Sequence, residues 1–176
     1  MDQLIAETGG SKATLYRYFS SKQQLFEAII DDLSAATVPG DDDVELSSLG
    51  LAEGLHRLGK GIGMAALSEE ATVLFRLALG EYNRFPELGR TLFERGPAVS
   101  YQRFRVFVAA KQAAGEVKVP DLDIAAEQFI GGIVGHQQLR RALGISQPTA
   151  ADIAARVSAA VQAFQATYAN SAPSGK

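Results

Sequence analysis

Three basic side chains stand close together near the start of the chain. Lys12, Arg17 and Lys22 fall within eleven residues that contain no acidic side chain. A methyl group, an aromatic ring and hydroxyl groups lie between them, on Ala13, Thr14 and Tyr16. Cations and hydroxyls of this kind hold phosphate groups, and an arginine or a methyl group recognises the edges of bases. The cluster therefore predicts contact with duplex nucleic acid, although an ordinary pair of helices with a polar face explains it as well.

Two short helices are predicted to position these side chains. The first covers about residues 2–8 and ends at a Gly-Gly pair, which suits a left-handed turn. Ser11 is a good N-cap for the second helix, which runs to about Phe19. On that helix Leu15 and Phe19 share the face that packs inward, while most of the basic and polar residues point outward. This is the outline of a helix-turn-helix, whose second helix lies in the major groove of DNA.

A third helix is predicted to begin at Ser21. Ser21 and Gln24, three residues apart, form a capping-box pattern. Lys22 lies at the N-terminus of this helix, where the helix dipole and free N–H groups favour a phosphate. An apolar stripe at helical spacing follows, on Leu25, Phe26, Ile29, Ile30 and Leu33.

The remaining chain is also predicted to be helical, which makes the whole fold all-α. Pro39, Gly40 and three aspartates after them mark a boundary between a region of residues 1–38 and a larger domain of residues 45–170. A solvated loop inside a single domain is the alternative. Beyond the boundary we expect helices at about residues 46–65, 69–84, 86–94, 97–114, 122–143 and 148–169. Prolines stand near four of the predicted starts, where a missing N–H costs little.

Composition and motifs exclude several classes of protein. The chain has no cysteine and a formal net charge of -3. Disulfide frameworks, thiol nucleophiles and zinc fingers are therefore excluded, and any DNA-binding surface must be local. The apolar runs are far shorter than the roughly 20 residues that span a bilayer, and no secretory signal opens the chain, so we expect a cytoplasmic protein. With two distant histidines and none of the usual catalytic or phosphate-binding motifs, we predict no enzyme, catalytic residue, metal or cofactor.

The run from Gly9 to Lys22, followed by Leu25 and Phe26, resembles the signature of TetR/AcrR-type transcriptional regulators. In that signature a turn glycine precedes Ser-Lys-x-Thr-Leu-Tyr-x-Tyr-Phe, then x-Ser-Lys and a Leu-Phe pair. The resemblance implies that Lys12 and Ala13 approach bases, that Arg17 recognises sequence at a variable position, and that the hydroxyls and Lys22 mostly hold phosphates. The whole predicted DNA-binding set is Ser11, Lys12, Ala13, Thr14, Tyr16, Arg17, Tyr18 and Lys22.

Three departures from the signature lead to further expectations. Gly10 replaces the usual Val or Ile of the three-helix core, and Ile5 replaces the usual alanine. The family's first helix has no counterpart before Met1. A misplaced start codon or a truncated chain explains this, and a naturally shortened regulator is the alternative. Without that helix we expect residues 1–35 to be loosely ordered and an apolar patch to be uncovered. The patch consists of Leu4, Leu15, Phe19, Leu25 and Phe26.

The rest of the chain, about residues 45–170, resembles more loosely the effector-binding and dimerisation domain of the same family. The stretches 75–88 and 125–129 carry this resemblance. An effector pocket has to be apolar with a few polar anchors, and several aromatic residues, two histidines and a glutamine suit that role. The candidates are His56, Phe75, Leu79, Tyr82, Phe85, Phe104, Phe107, Gln128 and His136. Packing in the core explains the aromatic residues equally well, and a lone histidine on a helix is more often structural.

The last two helices are predicted to form a homodimer interface. Over residues 151–169 only two side chains are charged, so the last helix is predicted to be buried on more than one side. Gly131 and Gly135, four residues apart on the preceding helix, allow a second helix to approach closely. With their symmetry mates the two helices form a four-helix interface, in which Val157 and Phe164 are expected to be buried. Burial of both helices within one chain is the alternative.

These expectations combine into one hypothesis and one rival. The first is a ligand-responsive DNA-binding regulator, a repressor that acts as a homodimer on operator DNA. A small-molecule effector would favour an arrangement in which the two recognition helices no longer match the half-site spacing. The rival is a dimeric small-molecule-binding module that has lost DNA binding together with the first helix.

Overall fold

A computed structural model describes residues 21, 24–28 and 46–170 of the chain. Six complete helices follow one another in this part of the molecule, and we call them the bundle. They are α1 Leu51–Ala66, α2 Glu69–Gly80, α3 Pro86–Arg95, α4 Pro97–Ala113, α5 Leu122–Ala142 and α6 Ala150–Tyr168. The predicted all-α fold is confirmed, whereas the predicted domain boundary falls on residues that lie outside the described ones.

Prolines and side-chain caps start the helices where the sequence predicted. Pro86 and Pro97 stand in the first turn of α3 and α4, where an N–H would have no helical partner. The Ser68 hydroxyl accepts a backbone N–H at 3.1 Å in the first turn of α2. Thr149 and Asp152 form a reciprocal capping box at α6, with the Thr149 N–H donating to the Asp152 carboxylate at 2.8 Å. Local signals of this kind fix most of the helix starts.

Two predicted helices have different bounds in the structure. Residues 46–48 are helical, but the chain turns before Gly50, and the helix predicted over residues 46–65 is broken near its start. The helix predicted over residues 69–84 ends at Gly80, and the next four residues form a turn. Glycine stands at both breaks, and it is a weak helix former because its backbone loses the most freedom on folding.

The main core lies between α1, α4, α5 and α6. Phe104 stacks on Phe129 with ring centroids 5.1 Å apart, and Phe164 meets Phe104 edge-on at 5.7 Å. α1 approaches α4 closely because Gly54 of α1 has no side chain at the contact. A Cβ at Gly54 would lie 2.1 Å from the ring of Phe107 on α4. The centre of the core therefore consists of aromatic rings, and α1 packs closely against them at Gly54.

α6 buries a single face. Ile153, Val157, Val161 and Phe164, spaced at helical intervals, all lie in the main core of their own chain. The opposite face is exposed and consists mainly of alanine. The expectation that Val157 and Phe164 lie between two subunits is therefore wrong, because both side chains point inward, to the side on which α6 packs against α1 and α5.

The end of α6 is joined to the loop between α4 and α5. Val117 and Ala169 form an antiparallel β-bridge. The Lys118 N–H donates to the Tyr168 carbonyl at 2.9 Å. The Asn170 N–H donates at 3.1 Å to the carbonyl of Glu116, in the loop between α4 and α5. These backbone bonds fix the last turn of α6 on the bundle.

Candidate functional site

The predicted DNA-binding residues lie outside the described part of the chain. They are Ser11, Lys12, Ala13, Thr14, Tyr16, Arg17, Tyr18 and Lys22. The same holds for Leu4, Leu15 and Phe19 of the expected apolar patch. The assigned roles of these residues stay predictions, and the structure describes the helix that follows them.

That following helix begins as the sequence predicted. The Ser21 hydroxyl oxygen accepts the backbone N–H of Gln24 at 3.1 Å, and the Ser21 carbonyl accepts the N–H of Leu25 at 3.3 Å. Residues 24–28 are helical. A serine that binds the N–H three residues on is the usual N-cap arrangement, so the predicted helix start at Ser21 is confirmed.

Phe26 of this helix packs against the bundle. Its side chain is 3% exposed and lies in a small core with Leu74 and Ala78 of α2 and Leu88 of α3. Leu25 beside it is buried as well. The expectation that Leu25 and Phe26 are uncovered is therefore wrong. An apolar stripe predicts that such residues are buried but does not say which element covers them, and for Phe26 that element is the pair α2 and α3.

A polar contact lies near the small core. The guanidinium of Arg95, at the end of α3, lies 3.8 Å from the carboxylate of Glu27. Both side chains are partly exposed, so solvent screens the pair and it contributes only about 0–1 kcal/mol. The buried contact of Phe26 therefore contributes more to the attachment of this helix than this ion pair does.

Two arginines connect α2 to the carboxyl end of α5. Arg76 on α2 donates from Nε to the carbonyl of Ala142 and from Nη2 to the carbonyl of Arg141, both at 2.7 Å. Arg141 in turn donates from Nε to the Thr72 hydroxyl at 2.8 Å. A cation at a helix C-terminus is favourable because it faces the negative end of the helix dipole. α2 therefore contacts both the Phe26 side chain and the end of α5.

The residues proposed for an effector pocket are distributed over several surfaces. Phe104 and Phe107 are buried in the main core, as the packing alternative predicted. Phe75 and Phe85 are half-buried. The others are exposed on α1, on α2, in the turn after α2, or on α5: His56, Leu79, Tyr82, Gln128 and His136. Of all these candidates, His136 alone lines either of the two clefts described next.

A cleft of about 270 Å³, which we call the apolar cleft, opens between α1 and α4. Its lining consists of Leu46, Arg57, Leu58, Lys60, Gly61, Ile62, Met64, Val99, Ser100 and Arg103. Half of these residues are aliphatic or methionine, three are cationic, and none of the ten is acidic. An apolar wall with a few charged groups is the usual character of a small-molecule site.

A second cleft of about 380 Å³, which we call the polar cleft, lies where α5 ends and α6 begins. Its lining consists of His136, Gln137, Arg140, Ser146, Gln147, Pro148, Asp152 and Arg156. The backbone N–H of Thr149 holds the pKa of Asp152 below its ordinary value of 3.8, and the Thr149 hydroxyl and the nearby Arg156 lower it further. The polar cleft thus presents two guanidinium groups, one imidazole and one ionised carboxylate.

Membrane-spanning helices and metal-ligand clusters are both absent from the part of the chain that the structure describes. None of its helices has both the length and the apolar character needed to cross a membrane. No three of its histidine, aspartate or glutamate side chains come together as ligands for a metal ion.

Comparison with protein families matches both parts of the chain. Residues 53–170 match the AefR-like transcriptional repressors in their C-terminal domain, and residues 1–29 match the bacterial regulatory proteins of the tetR family. Over 33 residues the chain is 54% identical to the nucleoid occlusion factor SlmA of Pasteurella multocida (strain Pm70). That stretch covers 19% of this chain and 17% of the SlmA protein.

Several solved structures are similar over nearly the whole chain. A TetR-family transcriptional regulator from Mesorhizobium loti MAFF303099 superposes with a TM-score of 0.78 at 22% identity, over 96% of this chain and 86% of that one. The flavonoid-responsive regulator FrrA gives a TM-score of 0.68 at 28% identity, over 98% and 87%. A TetR regulator from Agrobacterium tumefaciens gives 0.68 at 27% identity, over 95% and 82%.

The chain is thus similar over nearly its whole length to solved transcriptional regulators. The chain belongs to the TetR family and carries the AefR-like C-terminal domain over residues 53–170. The family predicted from the Gly9–Lys22 run is confirmed. The family that residues 1–29 match consists of bacterial regulatory proteins with a helix-turn-helix DNA-binding domain.

Proposed function

We propose that the chain is a homodimeric repressor that binds duplex operator DNA through residues 11–22 and releases it when an effector occupies the bundle. Base contacts are assigned to Lys12, Ala13 and Arg17, and phosphate contacts to Thr14, Tyr16, Tyr18 and Lys22. The observation that carries the proposal is the attachment of the Ser21-capped helix to the bundle through Phe26, in a chain whose residues 1–29 match tetR regulators. A packing contact of this kind lets the bundle influence the position of a DNA-binding segment.

The outward face of α6 supports the homodimer. Ala155, Ala159 and Ala166 are exposed on the side opposite the buried residues. The two charged residues of α6, Asp152 and Arg156, both lie in its first two turns. A helix that faces solvent normally carries charged residues along its whole outer face. A long face of small uncharged residues instead suits close contact with a second helix.

The outward face of α5 supports the same interface. Gly131 and Gly135 are exposed, and no atom lies within 4 Å of a Cβ built on either of them. The large apolar side chains of Ile124 and Leu139, on the same helix, are 50% and 57% exposed. A two-fold axis beside α5 and α6 would bury these side chains against the same helices of a second copy. The proposed dimer is therefore a four-helix interface that uses the faces α5 and α6 turn away from the main core.

The lining of the apolar cleft favours an effector that has a flat apolar body and an acidic group. Ile62, Met64 and Val99 offer contacts to an apolar body, and the cation of Lys60 in the same lining favours a negative charge. The solved regulator described as flavonoid-responsive is 28% identical to this chain. Flavonoids are planar phenols, so they have this combination of groups. We therefore assign a weakly acidic aromatic compound as the class of effector.

The connection between the apolar cleft and Phe26 is short. Val99 and Ser100 line the cleft in the first turn of α4, and Gly96 alone separates α3 from α4. α3 contributes Leu88 to the small core around Phe26. An effector that moves the first turn of α4 therefore moves α3. It would favour a state in which the two DNA-binding segments no longer match half-sites about 34–36 Å apart.

The test is selection of binding sites from a library of random DNA duplexes by the 176-residue chain. We expect enrichment of a two-fold symmetric sequence. Lys22→Ala should then weaken binding to all duplexes alike and reduce the slope of log affinity against log salt by about two, because each of the two subunits loses one phosphate contact. Arg17→Ala should instead relax the preference at one base position.

Arg90→Ala on α3 serves as the matched control, because it removes an exposed cation from the bundle. This variant should leave both affinity and salt slope unchanged. Failure to enrich any sequence, or a Lys22→Ala variant that changes preference with an unchanged salt slope, contradicts the proposed DNA contacts.

A further inference from the structure

The polar cleft at the junction of α5 and α6 has no role in the function proposed above. Pro148 is the one lining residue without a polar or charged side chain. The apolar cleft lies between α1 and α4 and shares no lining residue with it. The polar cleft therefore suits a ligand of different chemistry.

Two guanidinium groups face this cleft without a matching number of carboxylates. Arg140 donates from Nε to the Ser146 hydroxyl at 3.4 Å, which leaves its terminal N–H groups available. Neither Arg140 nor Arg156 forms an ion pair within the described part of the chain. Exposed arginines are common, but two that line one concave site provide paired donors for an anion.

The single carboxylate of the lining is already engaged. Asp152 Oδ2 accepts the backbone N–H of Thr149 at 2.8 Å and the Thr149 hydroxyl at 2.7 Å. These bonds hold the carboxylate at the first turn of α6, where it serves as the helix cap. Asp152 therefore offsets one positive charge of the cleft and leaves the other uncompensated.

The wall formed by the end of α5 is fixed by backbone hydrogen bonds. Gly144 adopts a φ of 73°, and its N–H donates to the Arg141 carbonyl at 3.0 Å. The Ile145 N–H donates to the Arg140 carbonyl at 2.8 Å. A left-handed glycine with these two bonds is a common helix C-cap, and it satisfies the terminal carbonyls. The cleft is thus built on a defined turn.

We propose that the polar cleft binds a small organic anion that carries two acidic groups, one for each of Arg140 and Arg156. Guanidinium groups bind carboxylate and phosphate oxygens through two parallel N–H···O bonds, so either acid fits. The volume of about 380 Å³ lies in the range of small-molecule sites. His136 and Ser146 provide further polar contacts. The site is separate from the effector site, so the regulator has places for two ligands.

Isothermal titration of the 176-residue chain at low ionic strength tests this proposal. The probes are citrate and succinate for carboxylates, and pyrophosphate and 2,3-bisphosphoglycerate for phosphates. We expect saturable binding of at least one probe with one site per chain, and the preferred probe tells which acid the site takes. Arg156→Gln and Arg140→Gln should each weaken that binding about tenfold or more, and Arg156→Lys should weaken it less.

Arg90→Gln is the matched control, because it removes the same charge from an exposed position on α3. This variant should bind the probe as the unchanged chain does. Thermal unfolding of each variant shows whether it folds. If Arg140→Gln does not fold, the binding measured for Arg156→Gln tests the proposal. Absence of saturable binding by all four probes overturns the proposal. So does an equal loss in Arg90→Gln, because a general effect of charge would then account for the heat.

Discussion

Arg76 donates from Nε to the carbonyl oxygen of Ala142 at 2.7 Å, across 66 residues of sequence. Along α2, Arg76 stands between Leu74 and Ala78, and both of these belong to the small core around Phe26. One helix of twelve residues therefore joins the carboxyl end of α5 to the helix that follows the predicted recognition helix. A displacement of the end of α5 moves the surface against which Phe26 packs.

Phe26→Ala should weaken the attachment of the N-terminal helix to the bundle. Truncation of a buried phenylalanine costs about 3–5 kcal/mol, and the small core has few other contacts to compensate. Hydrogen exchange of the amides of residues 24–28 should accelerate, while exchange in α5 and α6 stays slow. The control is Phe93→Ala on α3, whose ring is 58% exposed and which should change stability by about 0.5 kcal/mol or less. Equal effects of the two variants would contradict the assignment.

Ala159→Asp should convert the proposed dimer into a folded monomer. Ala159 is exposed in one chain, so the aspartate causes no strain within it. In the dimer the new charge is buried without a partner, at a cost of about 3–5 kcal/mol. Light scattering measures the mass.

Two further variants complete the dimer test. Ala109→Asp, at an exposed position on α4, should remain dimeric. Val157→Asp should unfold the chain, because Val157 lies in the main core. A dimer that survives Ala159→Asp would mean that another surface joins the subunits.

Val99→Trp should block the apolar cleft. Val99 lines the cleft and is partly exposed, so a larger ring can occupy the cleft without entering the main core. Flavonoid binding, measured by fluorescence titration, should weaken at least about tenfold, which corresponds to 1.4 kcal/mol. Val106→Trp is the control, because Val106 is exposed on the same helix and does not line the cleft. If both variants bind alike, the effector binds elsewhere.

Asp152 should make the start of α6 sensitive to acid. The Thr149 N–H, first of all, holds the pKa of Asp152 in the folded chain below its ordinary value of 3.8. A carboxyl group with a lowered folded pKa stabilises the fold above its unfolded pKa, and this contribution is lost as the pH falls through the folded value. Below about pH 4 the melting temperature should therefore fall more steeply for the unchanged chain than for Asp152→Asn. Parallel melting curves for the two proteins would rule out this contribution.

Local signals explain why most helix bounds were predictable. Pro86, Pro97 and the Thr149–Asp152 capping box each specify a helix start from within a few residues. The side on which a helix is covered is a different question. The large apolar residues of α6 share one face, so periodicity predicts that Val157 is buried, but it does not say whether the same chain or a second subunit covers it.

The clefts show a second kind of feature that the sequence alone does not predict. Arg57 and Lys60, three residues apart on α1, are a detectable pair of cations, but Arg103 joins them from another helix. Arg76 likewise reaches carbonyl groups that lie far from it in the sequence. Contacts of this kind depend on how the helices pack, and no spacing within one helix predicts them.

The small size of the core around Phe26 has a consequence for the proposed response to an effector. Native proteins open in parts, and a unit with few buried contacts opens at a lower free energy than the rest. Coupling between two sites typically amounts to about 1–3 kcal/mol. Removal of one methylene from Leu88 would change the balance by about 0.5–1.5 kcal/mol, which is up to about a tenfold change in the effector concentration for half-maximal response. Substitutions in the small core can therefore change the effector concentration that the proposed regulator needs for a half-maximal response. The affinities of the effector site and of the DNA-binding segment stay the same.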